Sequence, residues 1–184
     1  EVLRLKAFFQ ESKIDRGLYV VRKAAVGSSE EIFDDCIIRG AEVYLNKAEA
    51  EAILDKAEAI TTLKKFLNCR YTKEKYPAID HLQGETLVKF IREERRREFC
   101  LEGHRWFDLR RYAVSPKYPE KVSIRHRIFT PSSIAKEQGI YAGSYVLKPY
   151  GEDNAWVMPI PAYEIEFDQG EMLDNPTRDD RNKE

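Results

Sequence analysis

Residues 85–111 read ETLVKFIREERRREFCLEGHRWFDLRR, and the placing of charge in this stretch decides the fold. At about 100° per residue, Leu87, Ile91, Arg95, Glu98 and Glu102 fall within roughly 40° of a common direction on a helical wheel. Phe99 and Leu101 stand on either shoulder of that stripe. An apolar face therefore passes into an Arg–Glu–Glu stripe bordered by apolar residues. A solvated face of i,i+3 and i,i+4 ion pairs would be worth about 0.2–0.5 kcal/mol per pair. The flanking Phe99, Leu101, Trp106 and Phe107 favour the other reading, a partly buried ion network. Buried charges must be paired to be tolerated, and the stretch supplies both signs. Arg95 and Arg105 are the expected partners of Glu98 and Glu102, and such pairing would hold both carboxylates ionised. Gly103 reads as the C′ residue ending the first helix, and His104 to Tyr112 as a second helix at an angle to it.

The rest of the chain bounds the class. Its 184 residues suffice for one domain with a buried core, and a single domain over 1–184 is expected. The net charge is only −1 although 34% of residues are charged. No long block has one sign, so nothing in the sequence points to a nucleic-acid partner. Cys36, Cys69 and Cys100 lack a C-x-x-C spacing or a neighbouring histidine, which speaks against a zinc site and for three mostly buried free thiols. No apolar run approaches the roughly 20 residues of a membrane span.

Taken in order, residues 1–16 are ambiguous, and LYVVRKAAV (18–26) is β-branched enough for a strand. Ser28 or Ser29 would cap a helix over about Glu30 to Leu54. There Ile37, Ala41, Tyr44, Leu45, Ala48 and Ala52 share one face. From Asp55, the residues Ala59, Ile60, Leu63 and Leu67 keep the same period. Two helices with almost no loop between them predict an antiparallel hairpin. Residues 71–84 are expected to form a connecting loop. Residues 113–153 carry many breakers and four tyrosines; RHRIFT (125–130) reads as a short strand and SSIAKEQ as a helical turn. A loop this long is usually functional or packed against something.

Three stretches together resemble the SusD/RagB family, outer-membrane nutrient-binding lipoproteins of Gram-negative bacteria. The first is I-R-E-E-R-R-R-E-F-C-L-E-G-H-R-W-F-D-L-R-R, with Arg95, Glu98, Glu102, Gly103, Arg105 and Asp108 as its structural signature. The second is I-I-R-G-A-E-V-Y-L-N-K-A-E-A (37–50), similar to the family's R-x-A-E-x-x-L-x-x-A-E-A helix, with L-N-C-R (67–70) after it. The third is Pro159, Ile160, Pro161, Glu164 and Ile165, followed by Asn175 and Pro176. Here Asp174 stands where the family usually has Gln, and Thr177 where Gly is common. The resemblance implies a mainly α fold: tetratricopeptide-like helical hairpins with long irregular loops and a few short strands. It also implies a non-catalytic component that binds oligosaccharide or another nutrient at the extracellular face of the outer membrane. Its partner would be a SusC-like TonB-dependent transporter, and no cofactor is implied. The likeness is to the C-terminal part of the family's longer chains, so the lipid anchor and further hairpins are expected outside these residues. The hairpin's Ile37, Tyr44 and Leu45 would then present an apolar face for them to cover.

Chemistry is sparse otherwise. Gly-rich phosphate loops, G-x-S-x-G, H-E-x-x-H and calcium-loop spacings are absent. Carboxylates are plentiful enough for a glycosidase-like pair, but commitment of Glu98 and Glu102 to arginines favours a structural role. Sugar binding needs aromatic faces. Tyr141, Tyr145 and Tyr150 are the candidates, whereas Trp156, followed directly by V-M-P-I-P, reads as core. The alternatives to a glycan-binding protein are a helical protein–protein scaffold without sugar binding and, less favoured, a carboxylate-based hydrolase.

Overall fold

The computed structural model describes residues 8–13, 17–21, 39–130, 139–169 and 171–178. The architecture is mainly helical with short strands, the class that the sequence predicts. Chain contacts divide it into two units, Glu1–Arg105 and Trp106–Glu184. No described helix is long and apolar enough to cross a membrane.

In the first unit, strands β1 (Phe9–Glu11) and β2 (Tyr19–Val21) pair antiparallel. Gly17, at φ 86°, supplies the left-handed turn between them, and its N–H donates to Glu11 Oε1 at 3.0 Å. The strand expected over 18–26 is thus present at 19–21; its remainder, the Ser28/Ser29 cap and the first third of the expected helix lie outside the described residues. Helix α1 is Gly40–Ile53 and α2 is Glu58–Leu67. Asp55 turns the chain between them in the left-handed conformation, φ 54°. Leu45, Ala48 and Ala52 of α1 and Ala59, Leu63 and Leu67 of α2 are buried, so the helical period correctly marks the shared face. Alanines at those positions let the two backbones approach closely, and Thr62 Oγ1 adds a 2.6 Å bond to Glu51 Oε2 across the pair. Tyr44 departs from the expectation: it is exposed beside Val43 while Leu45 is wholly enclosed. The apolar face expected from Ile37, Tyr44 and Leu45 is therefore reduced to the outer edge of α1, Ile37 being outside the described residues.

Helix α3 spans Gly84–Glu98, entered through a capping box. Gln83 accepts from the Thr86 backbone and Thr86 Oγ1 from the Gln83 N–H, filling the place of the Ser/Thr cap that the sequence lacks. Leu87, Val88 and Ile91 enter the core. The helix ends at Glu98, five residues before Gly103, and Leu101 takes the left-handed conformation at φ 64° ahead of Gly103 at 79°. Leu101 and Phe107 are exposed, so they do not flank the charges as expected. Cys69 and Cys100 are also exposed, against the expectation of buried thiols; Cys36 lies outside the described residues.

The second unit begins two residues into helix α4 (His104–Ala113) and carries the hairpin β3 (Ile124–Phe129) and β4 (Tyr141–Leu147), and a short α5 (Ala162–Phe167). Much of the expected loop is thus this hairpin; SSIAKEQ lies outside the described residues. Trp156 is buried, as predicted. Trp106 lies 4.4 Å from it, Tyr150 meets it edge-on at 6.0 Å, and its Nε1 donates to Lys148 O at 2.7 Å. The closing segment is pinned by its polar pair. Asp174 Oδ1 accepts from the Ile160 N–H at 2.8 Å, and Asn175 Nδ2 donates to Met158 O at 2.7 Å.

Candidate functional site

The charged signature is built between helices. Along α1 the polar positions recur at Arg39, Glu42, Asn46 and Glu49. Along α3 and the turn after it they recur at Arg92, Arg95, Glu98 and Glu102. Set antiparallel, the two series meet rung by rung. Arg92 Nε donates to Glu49 Oε1 at 2.9 Å, both side chains being only 3% exposed. Arg95 Nη1 donates to Asn46 Oδ1 at 2.8 Å and its Nη2 to Glu42 Oε1 at 3.2 Å. Arg39 grips Glu102 with two bonds of 2.9 Å and reaches Glu98 Oε1 at 2.6 Å.

Glu98 is the hub. Its side chain is fully enclosed, and Arg70, just beyond α2, adds two bonds of 2.8 Å to the one from Arg39. One carboxylate thus joins residues at the ends of three helices. Arg39 and Arg70 close on Glu98, two cations that the sequence reading did not name beside Arg95 and Arg105; Arg95 faces Glu42 and Asn46. Arg39 Nη2 also donates to the Glu98 carbonyl at 2.9 Å, the oxygen that the Glu102 N–H would take if the helix continued. That N–H turns to Phe99 O at 3.1 Å, which accounts for the early helix end. The buried Phe99 ring is stacked by the guanidinium groups of Arg39 and Arg95, at 4.6 and 4.8 Å. Beside the hub, Glu94 accepts from Tyr71 OH at 2.7 Å and from Arg97.

Burial alone would raise the Glu98 pKa, but the hydrogen bonds and charges of Arg70 and Arg39 outweigh it and hold the carboxyl below its ordinary 4.5. The Arg39 guanidinium, disfavoured by burial, is stabilised beyond that cost by Glu102 and Glu98, and Arg70 is stabilised by Glu98. A carboxylate held ionised this way cannot serve as a general acid near neutral pH. Asp108 is buried in α4 and accepts from Arg111 at 3.3 Å; Arg105 is half-buried.

The three tyrosine candidates are not brought to one surface. Tyr150 packs on Trp156 with Arg110 stacked 5.1 Å over its ring. In the hairpin, His126 pairs with Tyr145 and Ile128 with Gly143, but Phe129 pairs with Tyr141, because a bulge shifts the register between Ile128 and Phe129. Residues four apart on a regular strand share a face. The bulge breaks that relation and places Tyr141 with Phe129, its ring centroid 5.9 Å away, and with Ser144, 3.1 Å from its hydroxyl. Tyr145 stays on the opposite side with His126. Sequence reasoning missed Arg39, Arg70, Glu49 and Arg92 as members of the network, although, Arg70 apart, the three- and four-residue steps of the two polar series carry the signal.

A family model described as the SusD family matches residues 18–177. No curated protein and no solved structure matches the chain. The match covers all three motif stretches together with the hairpin between them, and the chain belongs to the SusD family.

Proposed function

We propose that the chain is a non-catalytic, nutrient-binding component of an outer-membrane uptake system. It holds an oligosaccharide at the cell exterior and presents it to a SusC-like TonB-dependent transporter. Membership of the SusD family carries this reading. The chemistry of the signature agrees with it: Glu98 is committed to two guanidinium groups and kept ionised, which suits a structural lock better than proton transfer. Exposed aromatic rings on a hairpin suit sugar stacking, and Tyr141 and Tyr145 offer one on each face.

Affinity electrophoresis through gels loaded with single polysaccharides tests the reading. Retardation by at least one polysaccharide, without release of reducing ends over a day, is the expected result. No retardation across a broad panel would overturn it in favour of a protein–protein scaffold. Val43 and Tyr44, exposed on α1 beside Lys47 and Lys65, are what recommends that second reading.

A further inference from the structure

We infer that the face of the β3–β4 hairpin bearing Arg125, Arg127, Phe129 and Tyr141 selects acidic sugars, those whose ring carries a carboxylate or sulfate. The inference rests on the nutrient-binding reading and names the class of nutrient. Alternation along β3 puts Arg125, Arg127 and Phe129 on one face, about 7 Å apart in turn. The register sets Ser144 opposite Arg127. Ser144 is fully buried, and its Oγ is met by Arg125 Nη1 at 2.7 Å and by the Tyr141 hydroxyl at 3.1 Å. Arg125 and Tyr141 are thereby fixed over it, while Arg127 is exposed and has no ion-pair partner among the described residues.

The bulge makes the surface. An unbroken register would leave Tyr141 beside Tyr145 and His126, away from the arginines. Gly143, at φ 117°, takes a conformation that residues with a side chain rarely adopt, immediately beside the shift. Tyr141 is turned to meet Phe129 at an interplanar angle of 66°. The two rings remain 53% and 50% exposed, so large apolar faces are held in water next to a cation. A pyranose stacked on such a ring carries its exocyclic acid a few ångströms from the ring centre, and the rest of the residue spacing between Phe129 and Arg127 is spanned by charge-assisted hydrogen bonds from the guanidinium. A guanidinium there can take either acid through two parallel N–H bonds. A neutral sugar would stack equally well but leave that cation unused.

Calorimetric titration of the chain with a galacturonic acid trisaccharide, a sulfated carrageenan tetrasaccharide and maltotriose tests the inference. At least one acidic probe should bind about tenfold or more tighter than maltotriose. Arg127→Gln should remove that advantage and leave any maltotriose binding and the thermal melt unchanged. Tyr141→Ala should weaken every sugar bound. The two acidic probes tell carboxylate from sulfate recognition. Equal binding of maltotriose, or acidic binding indifferent to Arg127→Gln, would overturn the inference while leaving the nutrient-binding reading in place. Inorganic polyphosphate bound as tightly, with no loss in Tyr141→Ala, would reduce the face to a general anion site and overturn it too. Binding of none of the three probes would overturn the inference, and only the absence of retardation across the polysaccharide panel would overturn the nutrient-binding reading with it.

Discussion

Replacing Glu98 by Gln keeps the side chain's shape and removes its charge, so it isolates what the hub contributes. The carboxylate accepts one side-chain bond from Arg39 and two from Arg70. An amide offers a single acceptor oxygen and turns an NH2 group toward guanidinium donors. Leaving one partner of a buried pair uncompensated costs about 3–5 kcal/mol. Here the cost is smaller, because the Arg39 and Arg70 side chains are 26% and 24% exposed and water reaches them. Arg39 also retains Glu102. A loss of about 2–4 kcal/mol follows. Urea denaturation followed by far-UV circular dichroism reads it as a lower midpoint at unchanged slope. A Glu98→Gln variant within about 0.5 kcal/mol of the parent, the ordinary scatter of a surface substitution, would refute the reasoning.

Acid should act on the same group. Since Glu98 titrates below its ordinary 4.5 in the folded chain, its contribution is complete above the unfolded value. It is lost as pH falls through the folded one. Urea midpoints measured downward from pH 6 should fall in the parent and fall less in Glu98→Gln. Arg92→Met alone takes the guanidinium away from the enclosed Glu49 carboxylate and should cost about 3–5 kcal/mol, whereas the double change Arg92→Met with Glu49→Leu should recover most of it. Paired melts decide between those outcomes. Gly139→Ala would set a methyl 1.8 Å from the Thr130 carbonyl oxygen. It should part the hairpin ends and weaken any sugar binding, as calorimetry would show. Asn175→Ala removes the bond to Met158 O and should cost about 1 kcal/mol, seen as faster hydrogen exchange confined to the closing segment.

The helical hairpin was legible because one period ran through it. Leu45, Ala48 and Ala52 repeat at the spacing that buries one face, and Ala59, Leu63 and Leu67 answer them across a turn too short for anything but an antiparallel return. The charged stretch was legible as a network but not as to partners. A helical wheel compares residues within one helix, and the rungs join two. Only setting 39, 42, 46, 49 against 102, 98, 95, 92 shows that both series advance in steps of three and four. The helix end was misplaced for the same reason. Gly103 is the obvious stop, yet a guanidinium from residue 39 claims the Glu98 carbonyl first. That leaves Leu101 in a conformation costing about 1–2 kcal/mol. In the hairpin, Gly139 and Gly143 read as loop breakers, when one permits close approach to Thr130 and the other sits by the bulge. Tyr141 and Tyr145 could not be assigned to opposite faces beforehand, because nothing in a strand's sequence announces a register shift.

That one buried carboxylate ties Arg39 and Arg70 together from separate helix ends is tested most directly by a double-mutant cycle on Arg70 and Glu98. Urea melts of Arg70→Met, Glu98→Gln and the double variant should give a coupling energy above about 1 kcal/mol, the double costing clearly less than the sum of the singles. Additive losses would mean that the two side chains act independently, and the three-helix junction would then have to be held by something else.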